Sequence, residues 1–84
     1  MELHPPLAAK VVKRSVTIAG HATSVSLEQP FWDELVKIAE ARKISLSHLI
    51  EDIDTARQTN LSSALRLYVL HHVISNTEKL AYSL

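Results

Sequence analysis

The sequence predicts a small α+β domain that is mostly helical. Three observations support this prediction: a stretch rich in β-branched residues around the chain's only glycine, two apolar stripes with helical spacing, and a broader third apolar segment. A chain of 84 residues forms one small domain, which buries only a modest fraction of its apolar surface. We therefore expect a partner subunit and predict a homodimer.

An arm and two strands are predicted before the first helix. Residues 1–10 have no periodic pattern and are expected to form a flexible N-terminal arm. From Val11 to Leu27 the chain is dense in β-branched residues, and Gly20 interrupts them where a tight turn often needs a positive φ. The pattern predicts two short strands joined at Gly20, the second of them spanning Thr23 to Leu27.

The first two helices are predicted from their apolar stripes and their starting residues. Proline suits the first turn of a helix, so the first helix is predicted from Pro30 to Arg42. The second is predicted from Leu46 to Ala56, after hydroxyl side chains that can cap it. The apolar stripes that define the two helices are Phe31, Leu35, Ile38 and Ala39, and then Leu46, Leu49, Ile50 and Ile53.

A third helix is predicted to start at Asn60 or Ser62. It is apolar on several sides, which is typical of a helix buried in a dimer. Residues 76–84 are weakly specified and are predicted to be a C-terminal tail. The folded domain is therefore predicted to span residues 11–75.

Ser24 to Ile50 carry a strand, a helix, a turn and a second helix, and this order resembles the ribbon-helix-helix domains of the Arc, MetJ and CopG type. A closer likeness, over about residues 13 to 74, is to a subfamily of small bacterial ribbon-helix-helix proteins. It rests on Arg14 to His21, Thr23 to Glu28, Phe31-Trp32 and Asn60 to Arg66. The resemblance implies an intertwined homodimer whose paired strands lie in the DNA major groove. It also implies sequence-specific DNA binding and a role in transcription regulation.

The predicted DNA contacts follow from strand alternation and from this resemblance. Period two puts Thr23, Val25 and Leu27 on one face of the strand and Ser24 and Ser26 on the other, where their hydroxyls can reach base edges. In the family, the start of the second helix usually anchors a phosphate. In this chain, Ser45 and Ser47 lie at that start and are therefore predicted to contact a phosphate. The predicted DNA-binding residues are Lys13, Arg14, Thr17, His21, Ser24, Ser26, Ser45 and Ser47.

Three positions depart from the general family pattern. Ala22 stands where a basic residue often begins the reading strand, Glu28 follows that strand, and Lys43 replaces the glycine that commonly ends the first helix. The reading strand is therefore poor in positive charge. Our hypothesis is that the added first strand supplies the missing basic groups through Lys13 and Arg14.

The predicted dimer is intertwined through the second strand, with a core from the first two helices that the third enlarges. Two-fold symmetry then predicts a palindromic double-stranded DNA site or paired half-sites. The residues predicted at the dimer interface are Val25, Leu27, Leu35, Leu49, Ile50, Ile53, Leu65 and Tyr68.

Enzymatic and metal-binding functions have little support in the sequence. The adjacent His71 and His72 diverge by about 100 degrees on a helix, and the carboxylates of residues 51–54 are typical of a solvated surface. A small metal-dependent enzyme would require stoichiometric metal in the purified protein. We therefore predict no enzyme activity, no metal and no cofactor.

A protein-interaction module on the same scaffold, antitoxin-like or an adaptor, is the main alternative. The formal net charge is zero, whereas DNA binding relies on Lys and Arg to neutralise phosphates. The chain has no cysteine, no secretory signal and no apolar run that could span a membrane. We therefore expect a cytoplasmic protein that does not associate with membranes.

Overall fold

A two-stranded hairpin followed by three helices makes up the chain. The computed structural model describes the backbone of residues 9–82 and the side chains of residues 9–77. The elements are β1 (Val11–Ile18), β2 (His21–Glu28), α1 (Gln29–Arg42), α2 (Leu46–Ala56) and α3 (Leu61–Tyr82). This order confirms the predicted fold class, a ribbon-helix-helix arrangement with an extra N-terminal strand and a third helix.

The hairpin is closed by a two-residue turn, Ala19-Gly20. Its strands are antiparallel, with Ile18 opposite His21 at the turn and Val11 opposite Glu28 at the far end. Both turn residues have positive φ, 51° at Ala19 and 82° at Gly20, as a type I′ turn requires. The sequence predicted the turn at Gly20 but not the left-handed alanine before it.

The two faces of the hairpin differ in burial. Val16, Val25 and Leu27 are buried against the helices, and Thr23 is half-buried on the same face. Ser24 on the opposite face is exposed. The predicted alternation of the second strand is therefore confirmed.

Helix α1 is tied to the hairpin at its start and ends in a Schellman motif. Its Trp32 is fully buried and donates an indole hydrogen bond to the Val12 carbonyl at 3.0 Å. At the other end, the Lys43 amide donates to the Glu40 carbonyl and the Ile44 amide to the Ala39 carbonyl. Lys43 has a φ of 58°, so it takes the left-handed conformation that glycine commonly supplies there.

Helices α2 and α3 both begin at side-chain caps. The Ser45 hydroxyl accepts a hydrogen bond from the His48 amide, and α2 has the predicted bounds. The Asn60 side chain accepts one from the Ser63 amide, which places the start of α3 within the predicted range.

Two predicted segments have different boundaries in the structure. The segment 76–84 was predicted to be a tail, but α3 continues to Tyr82 because no proline or glycine interrupts it after Val73. Residues 83 and 84 lie outside the described residues. Of the predicted arm, residues 1–8 also lie outside them, whereas the Lys10 carbonyl accepts a hydrogen bond from the Gln29 amide at 3.2 Å.

The core of the single chain contains most of the residues predicted at the dimer interface. Tyr68 is only partly buried and packs against the edge of this core. The others are covered because the extra strand and α3 pack over them within the same chain. The predicted interface residues that are buried in this way are Val25, Leu27, Leu35, Leu49, Ile50, Ile53 and Leu65.

We predict that Lys43→Gly stabilises the protein. A non-glycine residue in the left-handed region costs about 1–2 kcal/mol, and glycine removes this cost while giving the unfolded chain more freedom. The free energy of unfolding should rise by roughly 0.5–1 kcal/mol, measured by urea denaturation. Lys43→Ala removes the same charge but keeps the Cβ, so an equal gain in that variant would contradict the explanation.

Candidate nucleic-acid interface

One face of the hairpin turns away from the helices and carries small polar side chains. We call it the outer face; it consists of Val11, Lys13, Ser15, Thr17, Ala22, Ser24, Ser26 and Glu28. Ser26 is half-buried, and the other hydroxyl side chains are exposed. Across the strands, Lys13 lies opposite Ser26, Thr17 lies opposite Ala22, and the pair between them is Ser15 and Ser24. The outer face is therefore a patch of hydroxyls with one lysine.

Ser15 is a candidate contact that the sequence reasoning missed. It lies directly opposite Ser24, at the centre of the outer face. Strand alternation could have found it, because Lys13 and Thr17, two residues away on either side, were both identified.

Arg14 lies on the other face of the hairpin from Lys13, which corrects their grouping as a shared source of charge. Consecutive strand residues point to opposite sides, and Arg14 stands opposite the buried Val25. Its guanidinium lies 5.2 Å from the centroid of the Trp32 ring, in a cation-π arrangement. Arg14 therefore packs toward α1 rather than extending the outer face.

His21 lies at the turn end of the hairpin. Its pairing with Ile18 places it on the face of the hairpin that is turned toward the helices. It pairs with Ile18, which packs against the core, while its own side chain is exposed. The turn beside it is fixed to α2, because the Ala19 amide donates to the Glu51 carboxylate at 3.0 Å. His21 is thus held at the turn end of the hairpin and is not part of the outer face.

Glu28, at the end of the outer face, is paired with Arg66 of α3. The guanidinium donates to both carboxylate oxygens, at 3.0 and 3.3 Å. This hydrogen bonding by Arg66, followed by a backbone hydrogen bond, lowers the pKa of the Glu28 carboxyl below its usual value. The negative charge that follows the strand is therefore compensated within the chain.

Ser45 and Ser47 lie at the start of α2, on a different element from the hairpin. Ser45 is the N-cap and already accepts the His48 amide, and Ser47 is exposed in the first turn. Neither serine forms a hydrogen bond with the hairpin among the described residues. Their hydroxyls can still meet an anion at the helix start, where the dipole is positive.

The acidic residues of α2 form surface contacts. Asp52 lies 3.7 Å from both Arg42 and His48, and Asp54 accepts from Arg57 at 2.7 Å. Within the described part of the chain, no group of three or more His, Asp or Glu side chains could hold a metal ion. The helices described there also include none that is long and apolar enough to span a membrane.

Comparison with known proteins gives a family match and a structural relative. A family model described as a ribbon-helix-helix domain matches residues 11–73. The chain is similar, at 33% identity and a TM-score of 0.74, to the solved structure of an uncharacterized protein from Bordetella pertussis Tohama I. The alignment covers 86% of this chain and 62% of that one. No curated protein matches.

We predict that Glu28 makes stability depend on pH in the acidic range. Its pKa is lowered in the folded state, so its contribution is present above the usual glutamate pKa, about 4.3, and is lost as the pH falls through the lowered value. Wild type should have a higher urea midpoint than Glu28→Gln at about pH 6, and the difference should shrink below about pH 4.3.

Glu34→Gln is the control for this prediction. It removes an exposed carboxylate that lies 3.4 Å from Lys37, and an exposed pair of this kind contributes little to stability. A difference between wild type and Glu28→Gln that stays constant from about pH 6 to about pH 3 would show that the charge of Glu28 is not responsible.

Proposed function

Because the chain belongs to the ribbon-helix-helix family, we propose that it binds double-stranded DNA as a homodimer and regulates transcription. Domains of this family are generally DNA-binding proteins, transcription regulators or antitoxins, and they form dimers. The observation that carries the proposal is the outer face of the hairpin. Its hydroxyls and Lys13 are available to a ligand, while the carboxylate of Glu28 is paired with Arg66.

The dimer that we propose joins the β2 strands of two chains. The sheet of one chain contains only β1 and β2, so β2 has a second edge that pairs with no strand in the described residues. Such an edge presents backbone donors and acceptors to another strand. The basic residues Lys13 and Arg14 are on β1, and charge of this kind discourages pairing at that edge. Joining the β2 edges gives a four-stranded ribbon in the order β1-β2-β2-β1.

The width of this ribbon assigns different roles to its strands. Neighbouring strands lie about 4.8 Å apart, so the two outer strands are separated by about 14 Å. The major groove is about 12 Å wide. The β2 strands therefore fit inside the groove, and the β1 strands lie over its edges beside the phosphates.

The side chains of the outer face match these roles. Ser24 and Ser26 on β2 are placed at base edges, where a hydroxyl can both donate and accept. Lys13 on β1 lies opposite Ser26 and is placed at a phosphate. The hydroxyls of Ser15 and Thr17 add neutral contacts along the same strand. The start of α2, with Ser45 and Ser47, supplies a further phosphate contact.

Two-fold symmetry determines the type of DNA site. Each chain of the dimer presents the same outer face, so the DNA site is a palindrome or a pair of inverted half-sites. We propose a binding function without catalysis, because the contacts that we propose with DNA would serve recognition alone.

A protein-interaction module is the second candidate. It is favoured by the formal net charge of zero and by the outer face having Lys13 as its main cation. An antitoxin-like protein on this scaffold would bind a partner protein, and the family includes antitoxins. DNA binding at low salt distinguishes the two candidates.

We predict that Lys13→Ala weakens DNA binding more than Arg14→Ala. Both changes remove one positive charge from β1, but only Lys13 is on the outer face. In polarisation titrations with a random-sequence duplex at about 50 and about 200 mM salt, Lys13→Ala should lower the salt slope by about one per contacting protomer. The Arg14→Ala variant should keep the wild-type slope.

Three other outcomes would change the assignment. Equal losses in the two variants would mean that the outer face is not the contact surface. No effect of either variant would remove Lys13 from the proposed contacts. If the wild-type protein does not bind DNA at about 50 mM salt, the interaction module becomes the better account.

Ser24→Ala and Ser26→Ala should change sequence preference and not salt dependence. A neutral hydroxyl at a base edge affects discrimination between bases, whereas it neutralises no phosphate. Fragments selected from genomic DNA with each variant should differ from the wild-type set. The control is Thr55→Ala, which removes a hydroxyl from α2 and should select the same fragments as wild type. Identical selections for all proteins would contradict base reading by β2.

A further inference from the structure

Helix α3 has a second apolar face that is exposed in the single chain. We call it the α3 stripe; its members are Leu67 at 59% exposure, Leu70 at 53%, Val73 at 43% and Ile74 at 46%. The buried residues Ala64, Leu65 and Val69 lie toward the other side of the helix. One helix therefore has apolar residues both toward the core and away from it.

The spacing of this face is that of helix pairing. Leu67, Leu70 and Ile74 follow one another at intervals of three and four residues, and Val73 lies beside them. Over one heptad, this is the a and d spacing by which two helices pack side by side. An apolar stripe with this spacing suits another helix as the occupant.

The charge of the segment favours a second copy of the same helix. From Leu67 to Thr77 the sequence contains no Asp, Glu, Lys or Arg. In a two-fold interface the same patch meets itself, so like charges carried by that patch would be brought close together and would repel. An uncharged apolar stripe avoids this repulsion and is self-complementary.

The position of α3 in the fold places this helix next to β2, the strand of the proposed ribbon interface. Helix α2 packs against β1, and α3 packs against β2. The Glu28–Arg66 ion pair joins the end of β2 directly to α3. When two β2 edges pair, the helices under β2 come closest to the two-fold axis, and these include α3.

A shallow apolar groove borders the stripe at Leu67. It has a volume of about 380 Å³ and lies between the end of α2 and α3. Ile53, Ala56 and Tyr68 are among its lining residues. The groove extends the apolar surface beyond the stripe, so side chains from a facing helix have a depression in which to pack.

We propose that the α3 stripe packs against the same stripe of a second copy and forms the helical part of the dimer interface. This proposal rests on the homodimer of the proposed function and names the surface that holds it together. It adds helical side chains to the proposed β2 pairing, because most of the side chains predicted at the interface from sequence are buried within one chain. Helix α3 then lies between the core of its own chain and the helix of its partner.

The test is the oligomeric state of Leu70→Lys, measured by analytical ultracentrifugation. Wild type should be a dimer at micromolar concentration. Leu70→Lys should raise the dimer dissociation constant about a hundredfold or more, because the proposed interface would lose two leucines and take in two lysine charges. Val11→Lys is the matched control: Val11 is as exposed as Leu67, at 59%, but lies on β1. It should remain a dimer.

Failure of this proposal can be distinguished from failure of the DNA proposal. A wild-type dimer that survives Leu70→Lys overturns the α3 interface and leaves the DNA-binding homodimer intact. A wild-type monomer overturns both the α3 interface and the homodimer of the proposed function, and a DNA titration of that monomer then shows whether DNA binding alone remains. A dimer that depends on Leu70 but does not bind DNA supports the interface alone.

Cysteine crosslinking provides a second readout that does not depend on a destabilising charge. The natural chain has no cysteine, so a single introduced thiol reports only on its own position. Leu67→Cys, Leu70→Cys and Ile74→Cys are tested as a series under mild oxidation. At least one should form a disulfide-linked dimer, whereas Lys37→Cys on α1 should not. No crosslink at any of the three positions would contradict the proposal.

Discussion

The register of the hairpin is the constraint on which the rest of the structure depends. Pairing Ile18 with His21 across a two-residue turn fixes every later pair and directs Val25 and Leu27 toward the helices. A shift of one residue would bury the hydroxyls and expose the core residues of β2. Contacts outside the strands hold the same register: the Trp32 indole donates to β1, and Glu51 of α2 accepts from the turn.

Because of this register, the two ends of the hairpin have different electrostatic surroundings. At the turn, a carboxylate of α2 satisfies a backbone amide. At the other end, Glu28 takes two hydrogen bonds from Arg66, whose guanidinium also lies 5.9 Å from the Phe31 ring centroid. A zero net charge therefore does not mean a uniform surface. Glu28 and Glu51 have partners in the chain, and among the described residues Lys13 of the outer face forms no ion pair.

The sequence predicted the features of the fold that depend on local signals. The bounds of α2 were correct, and α1 begins only one residue before the predicted Pro30, because caps, proline and apolar spacing act over a few residues. Of the candidate site, strand alternation predicted that Ser24 and Ser26 share a face, whereas the packing of Arg14 on Trp32 is a contact between distant elements. Contacts such as Glu28–Arg66 join residues far apart in the chain, and no local pattern contains them.

Helix α3 connects the stability of the single chain to the geometry of the proposed ribbon. Its inner side completes the core through Leu65 and Val69, and Arg66 between them holds the end of β2. A partner helix packed on the outer side of α3 would therefore also influence the position of β2, because α3 contacts both. The distance between two α3 helices, about 8–10 Å for packed helices, would then limit how closely two β2 strands approach. Strand pairing needs a separation of about 4.8 Å, so both contacts must be compatible with one two-fold axis.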